Sequence, residues 1–225
     1  MAINPHFAAV FFCTPVLTLP GIFAKLIIVN TYTELELSYF ESRGRVIAGI
    51  DEAGRGPLAG PVIAAAVIFD HGTVIGGIAD SKKLSPSKRE RLSIVVKEKA
   101  LCWAVGEATV REIDEMNILE ASRLAMKRAA VALAHKPDFC LVDGWSLPGW
   151  DFPHEGVIKG DRKCFTIAAA SIIAKHYRDE IMIRLDNEFP QYGFARHKGY
   201  PTLLHREAIR KYGPCPIHRM TFKLL

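Results

Sequence analysis

Two apolar, β-branched runs, Val46–Ile50 and Pro61–Phe69, lie on either side of a glycine-rich connection and predict a β-hairpin. A third run, Phe139–Val142, predicts a buried strand that ends at Asp143-Gly144, and the first run likewise ends on acids, Asp51-Glu52. Strands of this kind interleave with helical stretches. Leu101–Ala108 reads as a further strand. Ser85-Pro86 reads as an N-cap and first-turn proline for a helix carrying Leu92, Val95 and Val96. Helices are also predicted over Ile118–His135, which stops before Pro137, over Phe165–Phe189 and over Leu203–Tyr212. The alternation implies an α/β fold with one mixed sheet flanked by helices.

The chain of 225 residues suffices for one enzyme-sized domain, and we expect it to occupy residues 32–225. Residues 1–31 form a hydrophobic extension. Within it, Phe7–Asn30 carries a single charge, Lys25, and is long enough to cross a bilayer, but Pro15 and Pro20 interrupt it and Met1–His6 carries no Lys or Arg. Membrane association is therefore not the expected role. The five cysteines are scattered, odd in number and without metal-ligand spacing, which fits a reducing cytoplasm. A net charge of +5 leans toward polyanionic partners.

Chemistry is concentrated in a few acids. In open α/β sheets ligands sit beyond the carboxyl ends of the strands, so Asp51, Glu52 and Asp143 can converge there, and Asp161, just before the Phe165 helix, can be turned toward the same point. Carboxylates gathered in one crevice repel each other unless a cation lies among them. Hard oxygen ligands without nearby Cys or His favour magnesium or manganese. Each acid alone reads more readily as a turn residue or helix cap; the set carries the argument.

Between the first two strands, Gly54-Arg55-Gly56 combines backbone that can approach a polyanion with a guanidinium that can grip phosphate. Lys82, Lys83, Lys88, Arg89 and Arg91 form a second basic segment, which reads equally as a solvated helix face. The segment Tyr192–Thr202 mixes rings, glycines and basic residues, as suits a loop against a nucleic-acid backbone, although a plain structured loop has the same composition.

Taken together, DEAGRGPLAGPV (51–62), DSKKLSP (80–86), LVDG (141–144), KGD (159–161), IAAASIIAK (167–175), Arg178-Asp179, HKGYPT (197–202) and PIHR (216–219) resemble ribonuclease HII from about Val46 to Phe222. The resemblance implies a ribonuclease H-like fold with a C-terminal helical part. It also implies endonucleolytic cutting of RNA in RNA–DNA hybrids and 5′ of single ribonucleotides in duplex DNA. Asp51, Glu52, Asp143 and Asp161 match the family's metal-binding acids, which hold two Mg2+ or Mn2+ ions. Gly54, Arg55 and Gly56 match its contact to the junction nucleotide, Tyr200 its deoxyribose-stacking tyrosine and Lys82 a lysine near the scissile phosphate. Asp179 reads as structural. Thr221 stands where the family often has serine. No N-terminal domain of the ribonuclease HIII kind is evident, and a monomer without an obligate protein partner is expected. Two other functions fit the residues themselves: a junction resolvase indifferent to ribose, and a non-catalytic nucleic-acid-binding protein.

Overall fold

The computed structural model describes residues 33–43, 46–78 and 84–225. The Phe7–Asn30 stretch and Lys82 lie outside the described residues, and among those described no helix is long and apolar enough to cross a membrane.

The sheet has five strands in the order β3-β2-β1-β4-β5: β1 Ile47–Ala53, β2 Val62–Ile68, β3 Cys102–Ala108, β4 Phe139–Asp143 and β5 His154–Val157. The first three pair antiparallel, whereas β4 joins β1 in parallel and β5 joins β4 in parallel. The helices are α1 Glu34–Arg43, α2 Pro86–Lys99, α3 Val110–Met116, α4 Ile118–Val131, α5 Gly160–Lys163, α6 Phe165–Glu188, α7 Phe194–His197 and α8 Leu203–Tyr212.

Strand β2 explains the layering. All of its residues are buried, Ala64 and Ala66 on one face and Ala65 and Val67 on the other, so it reads as a continuous apolar run and not as an alternating one. The first face packs on the alanine stripe of α4 (Ala121, Ala125, Ala129), the second on α6 and α2 through Ala169, Ile173 and Val96. Helix α6 approaches β1 so closely that a Cβ on Gly49 would stand 2.2 Å from the Thr166 carbonyl carbon, which leaves glycine as the residue that fits there.

Most predicted elements occur, with four differences. Strand β1 runs through Asp51 and Glu52 instead of stopping before them, because the pairing with β2 continues to Ala53↔Ile63. Helix α4 ends at Val131, not His135; the Leu133 N–H turns back to the Ala130 carbonyl and its side chain is buried in the core. Asp161 does not precede the Phe165 helix directly but lies in α5, separated from α6 by the extended residue Cys164. Strand β5 and helices α1, α3, α5 and α7 went unpredicted.

Helix α1 is held by a buried carboxylate. Glu36 is 0% exposed and accepts from the Phe165 and Thr166 amides at 2.8 Å each and from the Thr166 hydroxyl at 2.7 Å. These amides open α6 and have no partner within the helix, so a negative charge there is doubly favourable.

Candidate active site

Parallel pairing of β1 with β4 brings acids far apart in sequence to one end of the sheet. The register Ile50↔Val142 puts Asp51 and Asp143 one step further along neighbouring strands. Oxygens of Asp51, Glu52 and Asp143 all lie within 4.8 Å of one another, a grouping able to hold a metal ion. The Asp51 side chain is fixed by the Glu52 N–H, which donates to its Oδ1 at 2.7 Å, and the Gly160 N–H donates to Asp143 Oδ1 at 2.6 Å.

That last bond also locates Asp161. Its backbone follows a residue bonded to Asp143, after a left-handed Lys159 (φ 59°), and its side chain is buried. Its carboxylate is outside the group formed by the other three, so the structure gathers three of the four predicted acids and sets the fourth on the adjoining turn.

The electrostatics match a cation site. Burial raises the proton affinity of Glu52 above the ordinary carboxylate value; Arg55 opposes this and Asp143 adds to it. The Arg55 Nη1 atom stands 3.5 Å from Glu52 Oε1, while Glu52 Oε2 is buried with no hydrogen-bond partner among the described residues. A buried carboxylate oxygen without a donor costs free energy, about 1–3 kcal/mol, which a hard cation would remove.

Beside the acids, Arg55 and Gly56 are exposed, and a Cβ on Gly56 would stand 3.7 Å from Tyr200 Cε1. Tyr200 is 41% exposed and Lys175 Nζ lies 5.8 Å from its ring centre. The glycine turn and the aromatic loop, predicted separately, thus form one surface next to the carboxylates.

These features agree with the comparisons. The family profile described as ribonuclease HII matches residues 48–225. This chain belongs to the ribonuclease HII family. A ribonuclease HII from Moorella thermoacetica is 55% identical over 177 residues, spanning 79% of this chain and 86% of that protein. The one from Dechloromonas aromatica is 55% identical over 79% of this chain and 90% of its own length. Among solved structures, the ribonuclease H2 of Pyrococcus horikoshii superposes with a TM-score of 0.66 at 30% identity, covering 80% of this chain and 94% of that one. A ribonuclease HII from Archaeoglobus fulgidus, solved in complex with PCNA, gives 0.68 at 28% identity over 80% and 96%. The chain is accordingly a hydrolase of ribonuclease H type 2, an endonuclease acting on RNA–DNA hybrids.

Several residues behave differently from their sequence reading. Arg89 is not a solvated cation: it is buried, pairs with Asp179 at 3.2 Å and donates to the Leu84 carbonyl at 3.0 Å. Asp179 also takes Lys175 at 2.5 Å, which fits the structural role expected of it. His197 and His205 point inward. His205 Nδ1 is 2.9 Å from the Tyr200 carbonyl, its Nε2 is 3.0 Å from His218 Nε2, and the Cys215 N–H donates to His218 Nδ1 at 2.9 Å. One assignment of protons satisfies the whole chain with both rings neutral: His205 donates to Tyr200 and accepts from His218. Burial pushes His205 down to about 4 and lowers His218 as well, so the neutral rings persist at physiological pH. No local signal distinguished these histidines from surface ones.

Proposed function

We propose that this protein cuts the RNA strand of hybrids and also cuts 5′ of single ribonucleotides embedded in duplex DNA, leaving 5′-phosphate and 3′-hydroxyl ends. The observation that carries the reading is the meeting of the Asp51, Glu52 and Asp143 oxygens around a buried, donor-less Glu52 oxygen. In this reading those three residues and Asp161 hold two divalent ions, Mg2+ or Mn2+. Bound there, such ions supply Lewis acidity for the attacking water and for the departing 3′-oxygen.

The remaining work falls to the chain's own groups. Asp51 and Asp143 are held in place by the Glu52 and Gly160 amides, so no side-chain reorganisation is needed when the phosphate arrives. Exposed backbone at Arg55 and Gly56 meets the ribonucleotide and its 2′-hydroxyl, and the Tyr200 ring stacks on the next deoxyribose. Lys82 is assigned to the scissile phosphate by family resemblance alone. The 2′-hydroxyl serves recognition, not attack. The catalytic domain spans residues 32–225 and works as a monomer without an obligate protein partner. Among the described residues Cys140, Cys164 and Cys215 form no disulfide, which supports a reducing, cytoplasmic setting.

The test is cleavage of duplex DNA carrying one ribonucleotide, with Mg2+ or Mn2+, set beside an all-DNA four-way junction. Cutting on the 5′ side of the ribonucleotide, with the junction untouched, is expected. Junction cleavage without ribose dependence would replace this reading with a resolvase.

A further inference from the structure

Arg178 and Arg219 are the largest fully buried side chains, 1% and 0% exposed. Their hydrogen bonds run to backbone carbonyls. From Arg219, Nε donates to Gly60 O at 2.9 Å, Nη1 to Arg55 O at 3.1 Å, and Nη2 to Gly54 O at 2.6 Å and Gly60 O at 2.7 Å. From Arg178, Nε donates to Pro61 O at 3.0 Å, Nη2 to Ala59 O at 3.1 Å and Nη1 to Lys198 O at 3.0 Å. Burial pulls both down, to about 10 for Arg178 and about 9 for Arg219, so both stay charged at neutral pH.

Burying a guanidinium is expensive, and well-packed apolar residues commonly stabilise such a position as well or better. What an apolar side chain cannot do is hold several carbonyls from one point in a fixed fork. All but one of these carbonyls belong to the connection between β1 and β2. The approach is tight: Gly54 has φ +107°, and a Cβ there would lie 2.2 Å from Arg178 Nε. The glycine read from sequence as room for a polyanion is thus required first by an internal cation.

The consequence follows from peptide geometry. In a trans peptide the C=O of one residue and the N–H of the next point in opposite directions. Drawing the Gly54 and Arg55 carbonyls inward onto Arg219 turns the Arg55 and Gly56 N–H groups outward. Both residues are exposed, and among the described residues neither amide donates to a protein acceptor.

We infer that Arg178 and Arg219 are positioning residues for ribose recognition: they fix the Gly54–Pro61 connection so that consecutive amides face the sugar-phosphate backbone of the ribonucleotide. This rests on the proposal that the connection meets that nucleotide.

The experiment measures binding of the full chain, in calcium to prevent turnover, to a duplex with one ribonucleotide and to the same duplex in all-DNA form. The ratio of the two affinities is independent of how much protein is folded. The parent is expected to prefer the ribonucleotide duplex, and Arg219→Lys to lower that preference about tenfold, the loss from one or two misdirected hydrogen bonds, with all-DNA binding unchanged. Arg178→Lys is expected to lower it less, and it decides the question should Arg219→Lys not fold. An unchanged ratio in a folded variant, or equal loss on both duplexes, overturns the inference. A parent chain without preference removes the underlying reading instead, and the inference falls with it.

Discussion

The acid cluster lies at the β1 end of the β1–β2 connection and the arginine pair beneath that connection, and both bury charge, yet they solve the problem in opposite ways. Arg178 and Arg219 each donate from Nε and from both terminal nitrogens to neutral carbonyls of the chain itself. Asp51, Glu52 and Asp143 are brought together with like charges facing each other and a Glu52 oxygen lacking a donor among the described residues. A buried charge that the fold completes internally is architecture, whereas one left incomplete marks where something must bind.

Replacing a member of each set tests that contrast. Asp51→Asn is expected to reduce hybrid cleavage at least about a thousandfold in steady-state assays, as for groups that act as a unit, while the melting temperature stays level or rises because repulsion is relieved. Arg219→Ala is expected to do the reverse in stability, costing about 3 kcal/mol in urea unfolding, since several buried carbonyls lose their donor. A melting temperature that falls sharply in Asp51→Asn would erase the distinction.

Cation dependence sharpens it further. Adding Mn2+ or Mg2+ at about a hundredfold over its dissociation constant is expected to stabilise the parent by about 2.7 kcal/mol and Asp51→Asn far less, read by thermal melts with and without chelator. A pH-dependent effect concerns the histidine relay behind Tyr200. His205 binds its proton near pH 4 when folded and near about 6.5 when unfolded, so the unfolded chain takes up more protons in between. Its stabilising contribution is complete above about pH 6.5 and declines as pH falls toward about 4, by up to about 1.4 kcal/mol per pH unit and proton. Glu52 works the other way, its raised proton affinity favouring the fold as pH drops. Urea midpoints measured across this range in the metal-free protein, with His205→Gln as control, separate the two.

The sequence alone determined whatever is encoded within a short stretch. The β1–β2 hairpin shows in its apolar runs, the Ser85 cap and Pro86 start of α2 are recorded by the bond from Lys88 N–H to Ser85 Oγ, and α8 occurs over the residues predicted. The ordered motifs carried the family. Only the tertiary structure decided that Asp51, Glu52 and Asp143 converge while Asp161 sits on the adjoining α5 turn, that Glu36 caps α6 from 129 residues away, and that Arg89, Arg178 and Arg219 point inward. The physical reason is range. Periodicity and capping act over a few residues, whereas parallel pairing of β1 with β4 and hydrogen bonding of a buried guanidinium depend on partners supplied by distant segments, which exist only once the chain has packed.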